Sequence, residues 1–84
     1  MKYGNDGTTF TATREYNGVY VACFTYNNYA RATLNGSTLS PVISQDLSNS
    51  TRFRCFYISK LNTGDTLVIS VANYYIMFEN IEIP

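Results

Sequence analysis

Histidine and tryptophan are absent from this 84-residue chain, and the charged residues number only six basic and six acidic. Without histidine, neither a Ser-His-Asp nor a Cys-His arrangement can form. The carboxylates are Asp6, Glu15, Asp46, Asp65, Glu79 and Glu82. Asp6 and Asp65 adjoin glycine, where aspartate serves turns through backbone hydrogen bonds. Glu79 and Glu82, three residues apart on a strand, face opposite ways and make no acid/base pair. Two cysteines without histidine form a poor zinc site, and neither a phosphate-cradling glycine loop nor an EF-hand loop is present. The expectation is no catalytic residue, no cofactor and no metal. A formal net charge of +0 removes the electrostatic footprint for nucleic acid or an anionic membrane. No apolar run approaches the roughly 20 residues that span a bilayer as a helix, so membrane insertion is not expected.

What the chain does have is eight tyrosines and five phenylalanines among abundant Asn, Thr and Ser. Its length suits one domain, 1–84, with a small core and much exposed surface. The hydrophobic pattern has a period of two nearly throughout. It predicts strands at Thr8–Ala12, Gly18–Tyr26, Tyr29–Leu34, Ser37–Leu39, Arg52–Ile58, Thr66–Ala72 and Tyr74–Ile83. Asn35-Gly36 is a strong hairpin signal, Asn27-Asn28 reads as a tight connection, and Asn73 as a turn. Pro41 limits Val42–Ser44 to a short edge strand, and polar Gln45–Ser50 reads as a loop. Seven or eight strands at regular spacing predict an all-β protein, a compact antiparallel β-sandwich resembling a jelly roll.

Several strands are apolar on both faces. Val19, Val21 and Cys23 alternate with Tyr20, Ala22 and Phe24; Tyr74, Ile76 and Phe78 alternate with Tyr75 and Met77, and Ile81 and Ile83 continue the latter face. A chain this short cannot bury both, which predicts a homo-oligomer. Cys23 and Cys55 lie in apolar runs and are expected as buried free thiols, a cross-sheet disulfide being the other reading. Arg52 and Arg54 share a strand face with Phe56; solvent is their expected environment, with pairing to a glutamate across an interface as the alternative.

Tyrosine presents a flat apolar face with a hydroxyl at its edge, and asparagine a donor and an acceptor in one side chain. That combination suits stacking on sugar rings and bonding their hydroxyls. Tyr26-Asn27-Asn28-Tyr29 unites both chemistries in one loop, and Tyr16-Asn17 is a smaller copy. These six residues are the candidate ligand-binding set. Against them stands the plain fact that tyrosine suits strands and asparagine suits turns.

Phe10-Thr11-Ala12, Gly18-Val19-Tyr20-Val21-Ala22, Ala32-Thr33-Leu34-Asn35-Gly36 and Leu61-Asn62-Thr63-Gly64-Asp65-Thr66-Leu67 together resemble the C-terminal head domains of bacteriophage tail fibres. More remotely they are similar to the trimeric jelly rolls of the complement globular-head and tumour-necrosis-factor-like superfamily. The resemblance spans about Thr8 to Ile83, and the chain is much shorter than complement-type heads. It implies a homotrimer on the virion surface, or otherwise outside a cell, that binds a bacterial surface glycan or protein without being an enzyme. The alternative is an assembly part with no ligand of its own: a capsid decoration, tail-tip or fibre-trimerisation domain.

Overall fold

A computed structural model describes residues 2–4, 8–70 and 73–78, with side chains described from residue 8 onward. Among the described residues nine strands form: β1 (Lys2–Gly4), β2 (Thr8–Thr11), β3 (Tyr16–Tyr26), β4 (Ala32–Leu34), β5 (Ser37–Thr38), β6 (Ile43–Asp46), β7 (Thr51–Leu61), β8 (Thr66–Ile69) and β9 (Asn73–Phe78). They make a five-stranded sheet, β1-β9-β3-β7-β6, and a four-stranded sheet, β2-β8-β4-β5. All pairings are antiparallel. With β6 set aside as an added edge strand, the order in each sheet is that of a jelly roll, the expected fold.

Strict alternation places Val19, Val21 and Cys23 of β3, Phe56 and Ile58 of β7, and Tyr74 and Ile76 of β9 in the core. The four-stranded sheet meets them with Leu67 and Ile69 of β8 and Ala32 of β4, while Phe10 and Leu34 pack at the margin. Asn35 (φ 50°) and Gly36 (φ 85°) turn β4 into β5, as the Asn-Gly pair predicts. The same asparagine reaches across to the β7–β8 turn. Its side chain donates to Asp65 Oδ1 at 3.0 Å and accepts from the Thr66 N–H at 2.9 Å, while Asn62 N–H donates to Asp65 Oδ2 at 2.8 Å. Bonds from Asn35 and the Asn62 backbone hold the Asp65 carboxyl below its ordinary pKa. The two turn motifs singled out in the sequence are thus one structural corner.

Four expectations are corrected. The segment Gln45–Ser50 is not all loop: Gln45 and Asp46 continue β6 opposite Phe53 and Arg52, and polar side chains are what an exposed edge strand favours. Asn73 is not a turn residue but begins β9, opposite Phe24. Tyr29–Leu34 is not strand throughout, since β4 begins only at Ala32. Lys2–Gly4 adds a ninth strand, paired with β9, too short for any period to reveal. Ile81 and Ile83, expected in the last strand, lie outside the described residues.

Cys23 and Cys55 are both buried free thiols. Cys23 opposes Arg54, whereas Cys55 opposes Ala22, so the two thiols lie on opposite faces of the sheet and cannot join. Burial, with a smaller contribution from Cys55, pushes the Cys23 thiol up to about 12; burial also raises Cys55. A thiol is nucleophilic as thiolate, so neither should react with iodoacetamide at pH 8 in the native protein. Two adducts by mass after urea unfolding, and none before, is the expected result.

Candidate functional site

Strands β3 and β7 run 11 residues each, about 36 Å at ~3.3 Å per residue, whereas no strand of the opposing sheet exceeds four residues. The longer sheet therefore overhangs the shorter one. On the overhang the inward-facing positions change character, from Phe56 and Val21 to Arg54, Arg52 and Thr25. Among the described residues no strand of the opposing sheet covers them. The connection from Asn27 to Arg31, which carries the chain from one sheet to the other, folds over them instead.

Local bonds hold that connection. Asn27 takes φ 70°, a left-handed conformation asparagine tolerates better than most residues, and its N–H donates to Ser50 O at 2.8 Å. The Thr25 hydroxyl donates to Asn28 O. At the far end, Arg31 N–H donates to Ser70 Oγ at 2.7 Å and Ser70 N–H donates to Arg31 O at 2.9 Å. The loop is clamped to the residue just after β8 at one side and to the turn before β7 at the other.

Tyr29 lies over the arginines. The Arg54 guanidinium carbon is 4.5 Å from the Tyr29 ring centroid and that of Arg52 is 5.6 Å away, within cation–π range. The Tyr29 hydroxyl donates to Asp46 Oδ1 at 2.6 Å. That bond to a carboxylate, more than any other influence, raises the Tyr29 pKa. Asp46 Oδ1 is also 3.5 Å from Arg52 Nε, a nitrogen shielded from solvent and without a hydrogen bond. Arg54 donates from Nε to Ser44 Oγ at 3.1 Å and from Nη1 to Ala30 O at 3.3 Å. The expected solvent setting of Arg52 and Arg54 is corrected: both are half-buried beneath Tyr29. Within the chain their contacts are the Tyr29 ring and, for Arg52, the Asp46 carboxylate. Single-sequence patterning could not have found this, because the contacts join residues 23 to 25 positions apart, between the β3–β4 connection and β7.

Beside this cluster opens a groove of about 800 Å³, walled by the end of β3, by Asn27, Asn28, Tyr29 and Arg31, by Arg54, and by Ser70 and Asn73. Small-ligand sites occupy ~300–1,000 Å³. Tyr26, Asn27, Asn28 and Tyr29 all line it. Comparisons with protein-family models, with curated proteins and with solved structures return no match. The reading of the groove therefore rests on its own chemistry.

Tyr26 and Tyr29 differ there. Tyr29 has its hydroxyl and one ring face committed to Asp46 and the arginines, whereas Tyr26 is 68% exposed. Tyr16 and Asn17 do not join the groove. They are not a loop tip but the first residues of β3, ten positions from Tyr26 and thus ~33 Å along the strand. Tyr16 is only 9% exposed, stacked on Phe78 with centroids 4.3 Å apart. The reason is Gly18, whose φ of 85° is readily reached only without a Cβ. It breaks the alternation, so that Tyr16 turns into the core and Asn17 turns out. Arg31 and Arg54 are the charged lining residues that the candidate set lacked, and isolated charges in a loop or strand give no pattern by which to find them.

Proposed function

We propose that the chain is a non-enzymatic receptor-binding head of the bacteriophage tail-fibre type, which assembles as a homotrimer and recognises a bacterial surface glycan at the groove beside Tyr26. The observation that carries the reading is the convergence of an exposed tyrosine ring with two asparagine amides and a second tyrosine around one groove of ligand size. A ring platform flanked by amide donors and acceptors supplies what a pyranose needs, an apolar face to stack on and partners for its hydroxyls. The groove's described lining contains no carboxylate, thiol or imidazole, which favours binding over acid–base catalysis.

Assembly is supported by the other side of the five-stranded sheet. Its outer face carries Tyr20 and Tyr57 as a ring pair 4.7 Å apart, Phe24 and Phe53 as another at 4.9 Å, and Ile43 at the edge. The outer face of the four-stranded sheet is mostly threonine: Thr9, Thr11, Thr33 and Thr38 around Val68. Only the first is an apolar surface that a second copy would cover. Three copies on one axis would raise weak single-site affinity by avidity. The same face would serve a purely structural assembly part equally well; the groove is what favours recognition.

The test is a screen of host-surface oligosaccharides with the assembled protein and with Tyr26→Ala. Loss of a stacking platform should weaken binding about ten-fold or more while the circular dichroism stays unchanged. Equal binding by the variant would remove Tyr26 from the site. Failure of the wild-type protein to bind any oligosaccharide or host cell would favour the assembly part.

A further inference from the structure

The groove has a property that a site for neutral sugar alone does not require. Three of the chain's six cations, Arg31, Arg52 and Arg54, lie at this one end of the sandwich. Arg52 is matched by Asp46 at 3.5 Å. The other two line the groove, and among the described residues no carboxylate comes within ion-pair distance of either. Asp46, the acid closest by connectivity, accepts from the Tyr29 hydroxyl and sits against Arg52. In a chain with a formal net charge of +0, two guanidinium groups without an ion-pair partner among the described residues thus share one concavity.

Their settings differ in a way that bears on recognition. Arg54 is fixed by Tyr29, Ser44 and Ala30, which engage two of its five N–H donors. It is a pre-positioned charge that loses little freedom on binding. Arg31 has its backbone pinned to Ser70 but its side chain exposed, so it can adapt to what enters. Such a pair, one fixed and one mobile, suits an oxyanion, because guanidinium presents paired N–H groups to two oxygens at once.

Resting on the glycan reading above, we infer that the groove takes an acidic sugar, one whose ring carries a carboxylate, with the ring on Tyr26 and the carboxylate between Arg31 and Arg54. Neighbouring Asn27 and Asn28 then bond ring hydroxyls, which a simple anion lacks, so that affinity needs both the ring and the charge.

The test uses uronate-bearing oligosaccharides alongside the same oligosaccharides after chemical reduction of their carboxylates to alcohols, titrated into the intact protein. The acidic forms should bind about ten-fold or more tightly than the reduced forms. Raising salt from about 0.05 to 0.5 M should narrow that gap by screening. Arg31→Gln should bring the acidic form close to the reduced form, since the charge and its partner act as one interaction. Arg54→Lys keeps the charge and loses the fork, and should lower the preference for acid without abolishing it. Equal binding of acidic and reduced forms would overturn this inference and leave the glycan reading standing. Absence of binding to both forms and to all neutral sugars would overturn the glycan reading itself. Preference for acid that stays undiminished in both Arg31→Gln and Arg54→Lys would place the carboxylate elsewhere and also overturn the assignment.

Discussion

Phe56→Ala is expected to lower stability by about 3–5 kcal/mol, the usual cost of emptying a buried phenylalanine site. Phe56 is 1% exposed and lies at the centre of β7 opposite Val21, between the two sheets. For 84 residues a total stability of ~4–13 kcal/mol follows from ~0.05–0.15 kcal/mol per residue. One side chain therefore holds a large share of it. Neither sheet can readily close the gap, because β3 holds β7 in register along its length and β6 borders its other edge. Urea denaturation at one fixed protomer concentration gives the measurement, and the midpoint should fall steeply or the fold be lost at 25 °C. Phe56→Leu, which keeps most of the volume, should retain the fold with a smaller shift. An unchanged midpoint for the alanine variant would contradict the packing of the two sheets.

Tyr57→Asp is expected to break the proposed assembly while leaving the protomer folded. Tyr57 lies one residue from Phe56, yet it points the other way, 39% exposed on the outer face against Tyr20. A carboxylate there can stay hydrated in the lone protomer. At a covered seam it would be a buried charge with no partner, costing several kcal/mol. The dissociation constant should rise about a hundred-fold or more. Light scattering should show monomer at micromolar concentration, with the sheet signal in circular dichroism intact. An assembly that survives this change would place the seam on another face, and a wild-type monomer would remove the seam altogether. The contrast between adjacent positions is itself informative: Phe56 tests the inside of the sandwich and Tyr57 the outside.

The sandwich was legible in the chain because a strand writes its two faces into alternate residues. Val19, Val21 and Cys23 against Tyr20, Ala22 and Phe24 can be read as two faces from composition alone, and which of them faces the opposing sheet follows from packing. The Asn35-Gly36 turn was equally plain, since few residues tolerate its backbone angles. Strand ends were less legible. Gln45 and Asp46 look like loop because their side chains are polar, but an edge strand needs only its backbone to pair. Tyr16 was misplaced for a similar reason. The alternation that would assign it a face is broken by Gly18, and nothing in the local pattern shows that break.

The candidate site was half legible. Tyr26, Asn27, Asn28 and Tyr29 declared themselves as a contiguous run whose chemistry is visible in the letters. Arg31, Arg52, Arg54, Ser44 and Asp46 did not, because they meet only when β6, β7 and the β3–β4 connection come together.

The sequence by itself determined an all-β protein with too many aromatics for one small core, and it contains no histidine for catalysis. Those are properties of composition and period, which no arrangement can change. Tertiary structure decided what the aromatics do: some fill the core, some pave an outer face, and Tyr29 covers two arginines. It also decided that long strands overhang short ones, leaving charged inward positions beside an open groove. That outcome depends on unequal strand lengths in two different sheets, a relation between distant segments that residue order does not display.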